Sequence, residues 1–591
     1  MIPLQSRVSR VIYGRNSLGR PRTSTNRKRS VAVILLLSLI SSCSPGQPLP
    51  TIKFLSGDSE TAKKNAQGIQ ENIRKNLGIE TVLETVDFKT RLEKMRNMDF
   101  DIVYAGWGAD YDDPMTFLDL WITGSPYNDV KWSNKAYDDL IAKAKASGNQ
   151  DERMKAMADA EKILLTESPI VPLYWPAWNY AEHPWVKGIL RATVGPDYDW
   201  KWAYTEGKPG GDGKLNMNLG EDPPDLQSIT TTDQVSFEIL NAVNEGLTRK
   251  SPAGTFDQGS GVAKSWTVSP DGLVYTFTLK DEAKWSDGSK ITAKDFEYAW
   301  KKVVDPRTAS QYNYMFFFIK GAEDVASVVI PDPEKEAAAY TAAIKDLDEK
   351  LKAMGVVAKD DKTLEVTLTA PSAFFVTLTA FPSYFPLQQK YHEAKGDQYG
   401  LEANTILYNG PYMISEWNHG AKLVLKKNPT YWDAATVKMN EIAFDMIKDI
   451  NTPITMYEAN ELDAIGVPGD FIPKFQKDRP TELKQMAQAT VWYLELNPKH
   501  AAFANPKFRR AISLGFDRQS FVDNVLKNFS MPAIAYDPPS IHGKDGVVFI
   551  DKYLDAAAKL SKTANLTEAQ KLLKEACKEL GFAAPKPPAA K

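Results

Sequence analysis

Three observations predict an α/β architecture with more than one domain. Between Thr51 and Ala105 the apolar residues alternate between period two and period 3.6, a β-α-β-α-β run that calls for parallel strands. The chain has 591 residues, too many for one core and enough for two or three domains. Its 43% hydrophobic and 25% charged residues match a soluble globular protein. No repeat of roughly 20–50 residues points to a solenoid or propeller.

The first 42 residues predict a signal peptide. Arg7, Arg10, Arg15, Arg20, Arg22, Arg27, Lys28 and Arg29 precede any acid, and the apolar run Val31–Ile40 is too short to span a hydrocarbon core of about 30 Å. Ile40-Ser41-Ser42-Cys43 then resembles a bacterial lipobox, with Cys43 as the lipidated residue and 43–50 as a Pro- and Gly-rich tether. Beyond Ile40 no apolar run is long enough to cross a membrane.

Thr51–Leu55 follows as a strand. Residues 59–77 form a helix with Ala62, Ala66, Ile69, Ile73 and Leu77 on one face and Gly78 closing it. Ile79–Val86 is a strand, 88–96 a short helix and Asp101–Ala105 a third strand; helices over 134–146 and 151–166 lead to the strand Ile170–Trp175. Glu206–Lys214 has linker composition, and Leu215–Leu219 opens a new strand. The turn Ser269-Pro270-Asp271-Gly272 feeds the alternating strand Leu273–Leu279. Thr292-Ala293-Lys294-Asp295 caps a helix that stops before Asp305-Pro306. Asp332-Pro333 begins another helix, closed by Gly355, and residues 363–369 alternate as a strand. Near the end Thr567-Glu568-Ala569-Gln570 reads as a capping box for a helix that buries Cys577 as a core thiol, and 583–591 is a frayed Pro/Ala/Lys tail. With Cys43 acylated, Cys577 has no disulfide partner.

Composition also narrows function. A net charge of −3 gives no basic footprint for nucleic acid. His183, His392, His419, His500 and His542 are scattered, none at metal-ligand spacing, and no Gly-x-Ser-x-Gly elbow occurs. Gly259-Ser260-Gly261 lacks the rest of a phosphate-binding pattern. Asp110, Asp112 and Asp113 form an acid group that a hydrolase could use, but adjacent carboxylates on a turn are more often caps.

Several motifs are specific in combination: Tyr104-Ala105-Gly106-Trp107-Gly108-Ala109-Asp110-Tyr111-Asp112-Asp113-Pro114, Glu245-Gly246-Leu247, the segment Ser265–Leu279, Ala283-Lys284-Trp285-Ser286-Asp287-Gly288, Asn409-Gly410-Pro411-Tyr412, Asn428-Pro429-Thr430-Tyr431-Trp432 and Phe508-Arg509-Arg510-Ala511-Ile512. Together they resemble the oligopeptide-binding lipoproteins of bacterial ABC importers, solute-binding family 5. In that family the Ser-Trp-Thr-Val segment comes early and the Gly-Trp-Gly-Ala-Asp-Tyr segment late. Here the order is reversed: residues 214–582 resemble the family's first two-thirds and 50–205 its last third. A circular permutation accounts for this, and a fusion of two paralogue fragments is the rival.

The resemblance implies a two-lobed periplasmic-binding-protein-like fold (type II, cluster C) with an extra subdomain in lobe I. Lobe II would comprise 51–182 and 496–582, and lobe I would run from 183 to 495 with the joining linker at 206–214. The chain would cross between lobes near His183–Gly188 and Trp492–Asn497. The implied function is a receptor that binds oligopeptides between its lobes and delivers them to an ABC permease served by a separate ATPase. Such a protein would be exported, held at the cell envelope by its lipid, and monomeric, with no cofactor. The alternatives are a non-peptide solute such as an oligosaccharide, a surface signalling lipoprotein, and a hydrolase.

The resemblance also assigns the site. Asp110 would hold the peptide ammonium, Gly106, Gly108 and Ala109 would offer backbone partners, and Trp107 a flat wall. Tyr312 and Tyr314 would support the ammonium, and Glu221 or Asp222 would face it from lobe I. Tyr104 stands where several members carry a basic residue that reads the peptide C-terminus. Gly466-Val467-Pro468-Gly469 replaces the paired Asn of some relatives, so ligand length and polarity are expected to differ here.

Overall fold

The computed structural model describes residues 46–372 and 374–589. Signal peptide and Cys43 lie outside the described residues. From Gly46 onward the chain forms one unit with two lobes, each built on its own mixed sheet.

The first lobe to appear in sequence begins with β1 (Ile52–Gly57), α1 (Glu60–Leu77), β2 (Thr81–Val86), α2 (Phe88–Arg96) and β3 (Ile102–Gly108). Ser59 caps α1 with its side chain, and Gly78 at φ 70° turns the chain out of it. The α1 residues Ala66, Ile69, Ile73 and Leu77 are buried to the last percent or so. Each buried Ile or Leu is worth roughly 1.5–3 kcal/mol. After α3 (Lys135–Ala146) and α4 (Gln150–Glu167), β4 (Ile170–Trp175) completes this part.

Pro176 then separates β4 from β5 (Ala177–Glu182), which lies in the other sheet. A proline gives no ladder hydrogen bond and suits a passage between sheets. Beyond two short ribbons, the second lobe adds β6 (Lys214–Asn218) and α5 (Gln234–Val243). A separate four-stranded sheet follows, built from β7 (Ala263–Val268), β8 (Val274–Leu279), β9 (Val356–Ala358) and β10 (Thr363–Thr367), with α6 (Ala293–Val304) packed on it and α7 (Ala337–Ala353) leading into β9. The lobe returns to its main sheet with β11 (Tyr412–Asn418), β12 (Lys422–Lys427), β13 (Glu441–Asp445), β14 (Ala464–Gly466) and β15 (Leu483–Ala487). Strand order there is β11-β12-β13-β6-β14-β5-β15.

Gln488 and Ala489 make the second passage. β16 (Thr490–Leu496) enters the first lobe between β3 and β4, and β17 (Met531–Pro532) pairs with β4, giving β2-β1-β3-β16-β4-β17. Helices α8 (Pro506–Gly515) and α9 (Leu566–Leu580) pack with α1, and Gly515 lets α8 approach: a Cβ there would meet Leu77 at 2.7 Å.

Strand pairing therefore puts the crossings at Pro176 and Gln488–Ala489, earlier than the expected His183–Gly188 and Trp492–Asn497. β5 bonds to β14 and β15, and β16 bonds to β3 and β4, so 177–182 belongs to lobe I and 490–495 to lobe II. Two helix starts also differ. Asn565 rather than Thr567 caps α9, accepting from Glu568 N, and α7 begins at Ala337 after an isolated turn from Asp332. The final segment starts out held in place: Ala583 N donates to Gln47 O at 2.7 Å and Ala584 packs against the core. Cys577 is buried, and burial pushes its thiol up to about 11. Among the described residues no helix is long and apolar enough to cross a membrane.

Candidate functional site

β3 delivers the site. It pairs with β16 along its whole length, from Ile102 opposite Leu496 to Gly108 opposite Thr490. On its other side β1 pairs only with Ile102 and Val103. Among the described residues, Tyr104–Gly108 therefore leave one strand edge unpaired. Ala109 N donates to Ala489 O at 2.8 Å, on the β16 side. By the two-residue alternation of a strand, Gly106 and Gly108 point their N–H and C=O groups to the free edge, and Tyr104 adds its carbonyl, which accepts from Arg91 Nη1 at 2.8 Å.

Past β3 the chain leaves the sheet and places Asp110 at the seam between the lobes. Gly195 N of lobe I donates to Ala109 O at 2.8 Å, and Asp110 N donates to Thr116 Oγ1 at 3.0 Å. Its carboxylate accepts from Tyr312 OH at 3.0 Å, Tyr314 OH at 3.3 Å and Thr116 Oγ1 at 3.3 Å. Both tyrosines come from lobe I and are buried. No ion pair reaches Asp110 among the described residues. Burial pushes its pKa up to about 7, against the pull of the three hydroxyl bonds. Asp112 and Asp113 are structural: Asp112 holds His542 Nδ1 at 2.9 Å, and Asp113 takes both Arg153 nitrogens at 2.5 and 2.7 Å. Asp110 caps no turn.

Two cavities meet at Asp110. One of about 300 Å³ runs along the free edge past Gly106, Trp107 and Gly108, with Phe237 and Tyr312 facing it from lobe I. The other, about 240 Å³, lies toward Arg249 and Phe381. Trp107 forms a wall of the first with its ring 4.7 Å from Tyr127 and 6.4 Å from Tyr312, and its indole N–H has no partner among the described residues.

Three expected residues lie elsewhere. The Tyr104 side chain points to the opposite face of the sheet, its hydroxyl 2.5 Å from Tyr174 and 3.2 Å from Asn65. Only its carbonyl belongs to the free edge. Glu221 is drawn to Lys448 at 3.3 Å, which also holds Asp58 of lobe II at 2.8 Å. Asp222 accepts from Trp417 Nε1, His419 Nδ1 and Gly420 N at 2.8 to 2.9 Å. Both line a separate recess beside Lys448 that does not include Asp110, so neither faces an ammonium there. Gly466 and Val467 belong to lobe I near β5. Arg91, Tyr127, Asp197 and Gln488 line the main cavity and were not picked out by sequence. Arg91 is one of four cations on α2, with Lys89, Lys94 and Arg96, and only the packing of α2 against the edge distinguishes it.

A sequence model of the bacterial extracellular solute-binding proteins, family 5 (middle), matches residues 29–129 and 259–586. The dipeptide-binding protein DppE of Bacillus subtilis is 31% identical over 394 residues, 67% of this chain and 67% of that one. The oligopeptide-binding protein OppA of the same organism is 34% identical over 385 residues, 64% of this chain and 65% of its own length. The chain thus spans about two-thirds of the length of these relatives. Among solved structures, Listeria monocytogenes OppA bound to peptide aligns with a TM-score of 0.52 at 29% identity, covering 64% of this chain and 69% of that one.

Proposed function

This chain belongs to the bacterial extracellular solute-binding proteins, family 5, and from that premise we propose that it is a receptor that closes two lobes on an oligopeptide and presents it to an ABC permease. Members of the family are binding proteins rather than enzymes. The observation that carries the reading is Asp110: a carboxylate set between the lobes where two cavities meet, given hydroxyl partners and, among the described residues, no cation, at the end of an unpaired strand edge. A peptide has what such a site lacks. Its ammonium supplies the missing positive charge, and its main chain extends the sheet from β3 without selecting side chains.

Asp110, Trp107, Gly106, Gly108 and Ala109 make the lobe II side of the proposed site, with Tyr312 and Tyr314 from lobe I. Energy for transport comes from a separate ATPase, so the receptor needs no cofactor. Signal-directed export, a lipid on Cys43 and a monomeric state complete the proposal; radiolabelled palmitate should enter the protein and fail to enter a Cys43→Ala variant. The permuted order is supported by Gln47 lying beside Gly581–Ala583: Gln47 N donates to Gly581 O at 2.9 Å and Ala583 N to Gln47 O. Joining residues 214–582 to 47–205 should give a chain that folds and binds alike. Loss of folding in that rearranged chain favours a fusion of paralogue fragments.

Native mass spectrometry of residues 44–591 before and after denaturation tests the central reading. Release of a set of short peptides is expected. A single sugar or metal complex in the cleft overturns it.

A further inference from the structure

Glu495 and Asp129 are buried acids to which the chain gives no partner. Glu495 is 1% exposed and Asp129 7%, and among the described residues no hydrogen bond or ion pair reaches Glu495 Oε2 or Asp129 Oδ1. Both line the cavity that runs from Asp110 along the free edge of β3. β16 carries Glu495 opposite Val103, as it carries Tyr493 opposite Ala105 and Val491 opposite Trp107. Strand alternation therefore sets Glu495 on the sheet face that bears the Trp107 wall. The Trp107 indole N–H, also buried and unpartnered, is a donor left for a ligand in the same cavity.

The cations nearby do not fill the gap. Arg91 Nη1 is spent on the Tyr104 carbonyl at 2.8 Å, Arg96 Nη2 reaches Thr232 Oγ1 at 3.5 Å, and Lys131 is exposed. Around the whole cavity five acids, Asp110, Asp129, Asp197, Asp233 and Glu495, face two arginines, Arg91 and Arg96. Burial pushes Asp129 up to about 6 and Glu495 well above the carboxylate range, and Asp129 adds to the rise at Glu495. The empty cleft thus keeps protons on acids that a buried cation would ionise.

We propose that Glu495 and Asp129 form a subsite for the basic side chain, lysine or arginine, of an inner residue of the bound peptide. This rests on the peptide-receptor reading above and makes the receptor selective within it. Five strand positions separate Val103 from Gly108, about 17 Å at roughly 3.3 Å each, so a first residue held at Asp110 lies too far away. A peptide on the free edge of β3 stands two strand spacings from β16, about 10 Å. Short side chains end before Glu495 across that gap. Lysine and arginine bridge it, with an apolar stem along the sheet face and the charge at the tip. An ammonium or guanidinium set between the two carboxylates makes charge-assisted bonds and restores the charge that burial suppresses.

The test walks one lysine through the inner positions of penta-alanine, with norleucine at the same positions as the uncharged match of similar length. The peptides are titrated by calorimetry into the wild-type protein, Glu495→Gln and Asp129→Asn. At one inner position, or two of like facing, lysine should bind wild type about tenfold or more tighter than norleucine. Both variants should bind the two peptides within about threefold of each other. The lysine advantage should survive N-acetylation of both peptides; its loss on acetylation makes the peptide ammonium the cation read and overturns the proposal. A lysine advantage that persists in both variants overturns it too. Where a variant does not fold, carbodiimide coupling of the bound lysine peptide to the wild-type protein decides instead. An amide to Glu495 or Asp129 supports the subsite, and amides formed only at other acids overturn it. Failure of every peptide to bind wild type overturns the receptor reading itself and this proposal with it; binding that ignores lysine at every inner position overturns this proposal alone.

Discussion

Replacing Asp110 by asparagine should have two opposite effects, and their combination is the signature of a charge kept for a ligand. The substitution preserves shape and an acceptor for Tyr312 or Tyr314, which bond the carboxylate at 3.0 and 3.3 Å. Truncating one partner of a desolvated charge pair costs roughly 2–5 kcal/mol of affinity. At about 1.4 kcal/mol per tenfold, peptides with a free ammonium should bind about 30- to several-thousand-fold more weakly. The same substitution should stabilise the ligand-free protein at alkaline pH. Burial raises the Asp110 pKa to about 7 from an ordinary 3.8, so the folded state holds a proton that the unfolded state has released. Stability from this group falls as pH rises from about 4 to about 7 and then stays low. The difference is bounded by about 4 kcal/mol at pH 8 and vanishes near pH 4. Calorimetric titration at pH 7 and urea unfolding of ligand-free protein at pH 4, 6 and 8 read both effects. Peptide affinity of Asp110→Asn within about threefold of wild type refutes the assignment of the ammonium site. A variant equally destabilised at every pH shows instead that Asp110 is a structural carboxylate.

Affinity for a free peptide should be bell-shaped in pH, falling below about 7 as Asp110 takes a proton and above about 8 as the peptide amine loses one; N-acetylated peptide should lack the bell, and a flat profile for the free peptide contradicts it. Tyr312→Phe removes one hydroxyl from the carboxylate and should cost roughly 1–3 kcal/mol in binding while shifting the acid limb upward; an unmoved limb means that the hydroxyl does not act on Asp110. Lys448 ties Asp58 of lobe II to Glu221 of lobe I, so Lys448→Ala should raise the open fraction of ligand-free protein, seen as a larger radius of gyration in X-ray scattering that peptide reverses. A radius unchanged from wild type removes the latch. Cys577 is buried at 1% exposure and should resist thiol reagents in the native protein but react at once in urea; rapid native labelling would show that α9 opens.

Much of lobe II could be read directly from residue order, because its signals are local. Ser59 and Gly78 mark both ends of α1, and the apolar spacing between them gives its buried face. The crossings were harder. Trp178, Tyr180 and Glu182 alternate with Asn179 and Ala181 in a strand that only its partners β14 and β15 assign to lobe I. Asp110, Tyr312 and Tyr314 came from a family pattern, and they converge across a separation of some 200 residues that no periodicity encodes. Tyr104 shows the opposite failure. The motif put it in the site, yet strand alternation turns its ring away and leaves only the carbonyl. Glu221 and Asp222 were lost to Lys448 and Trp417, partners that sequence distance hides.

The place of β16 carries a kinetic consequence. β3 and β4 flank it in the sheet but precede it by hundreds of residues. Emerging from a ribosome or a translocation channel, the chain releases β1 to β4 early, with a gap where the central strand belongs. At the roughly 5–20 residues per second of synthesis, the roughly 300 residues between Trp175 and Thr490 take about 15 to 60 s. During that interval the edges of β3 and β4 lie bare, long enough for pairing with a neighbouring chain. Lobe I, whose main sheet is finished by β15 at Ala487, can close first and then hand over the missing strand. Maturation of this receptor is thus paced by its last hundred residues, and a chain stopped short of Thr490 would be an aggregation hazard rather than a half-working protein.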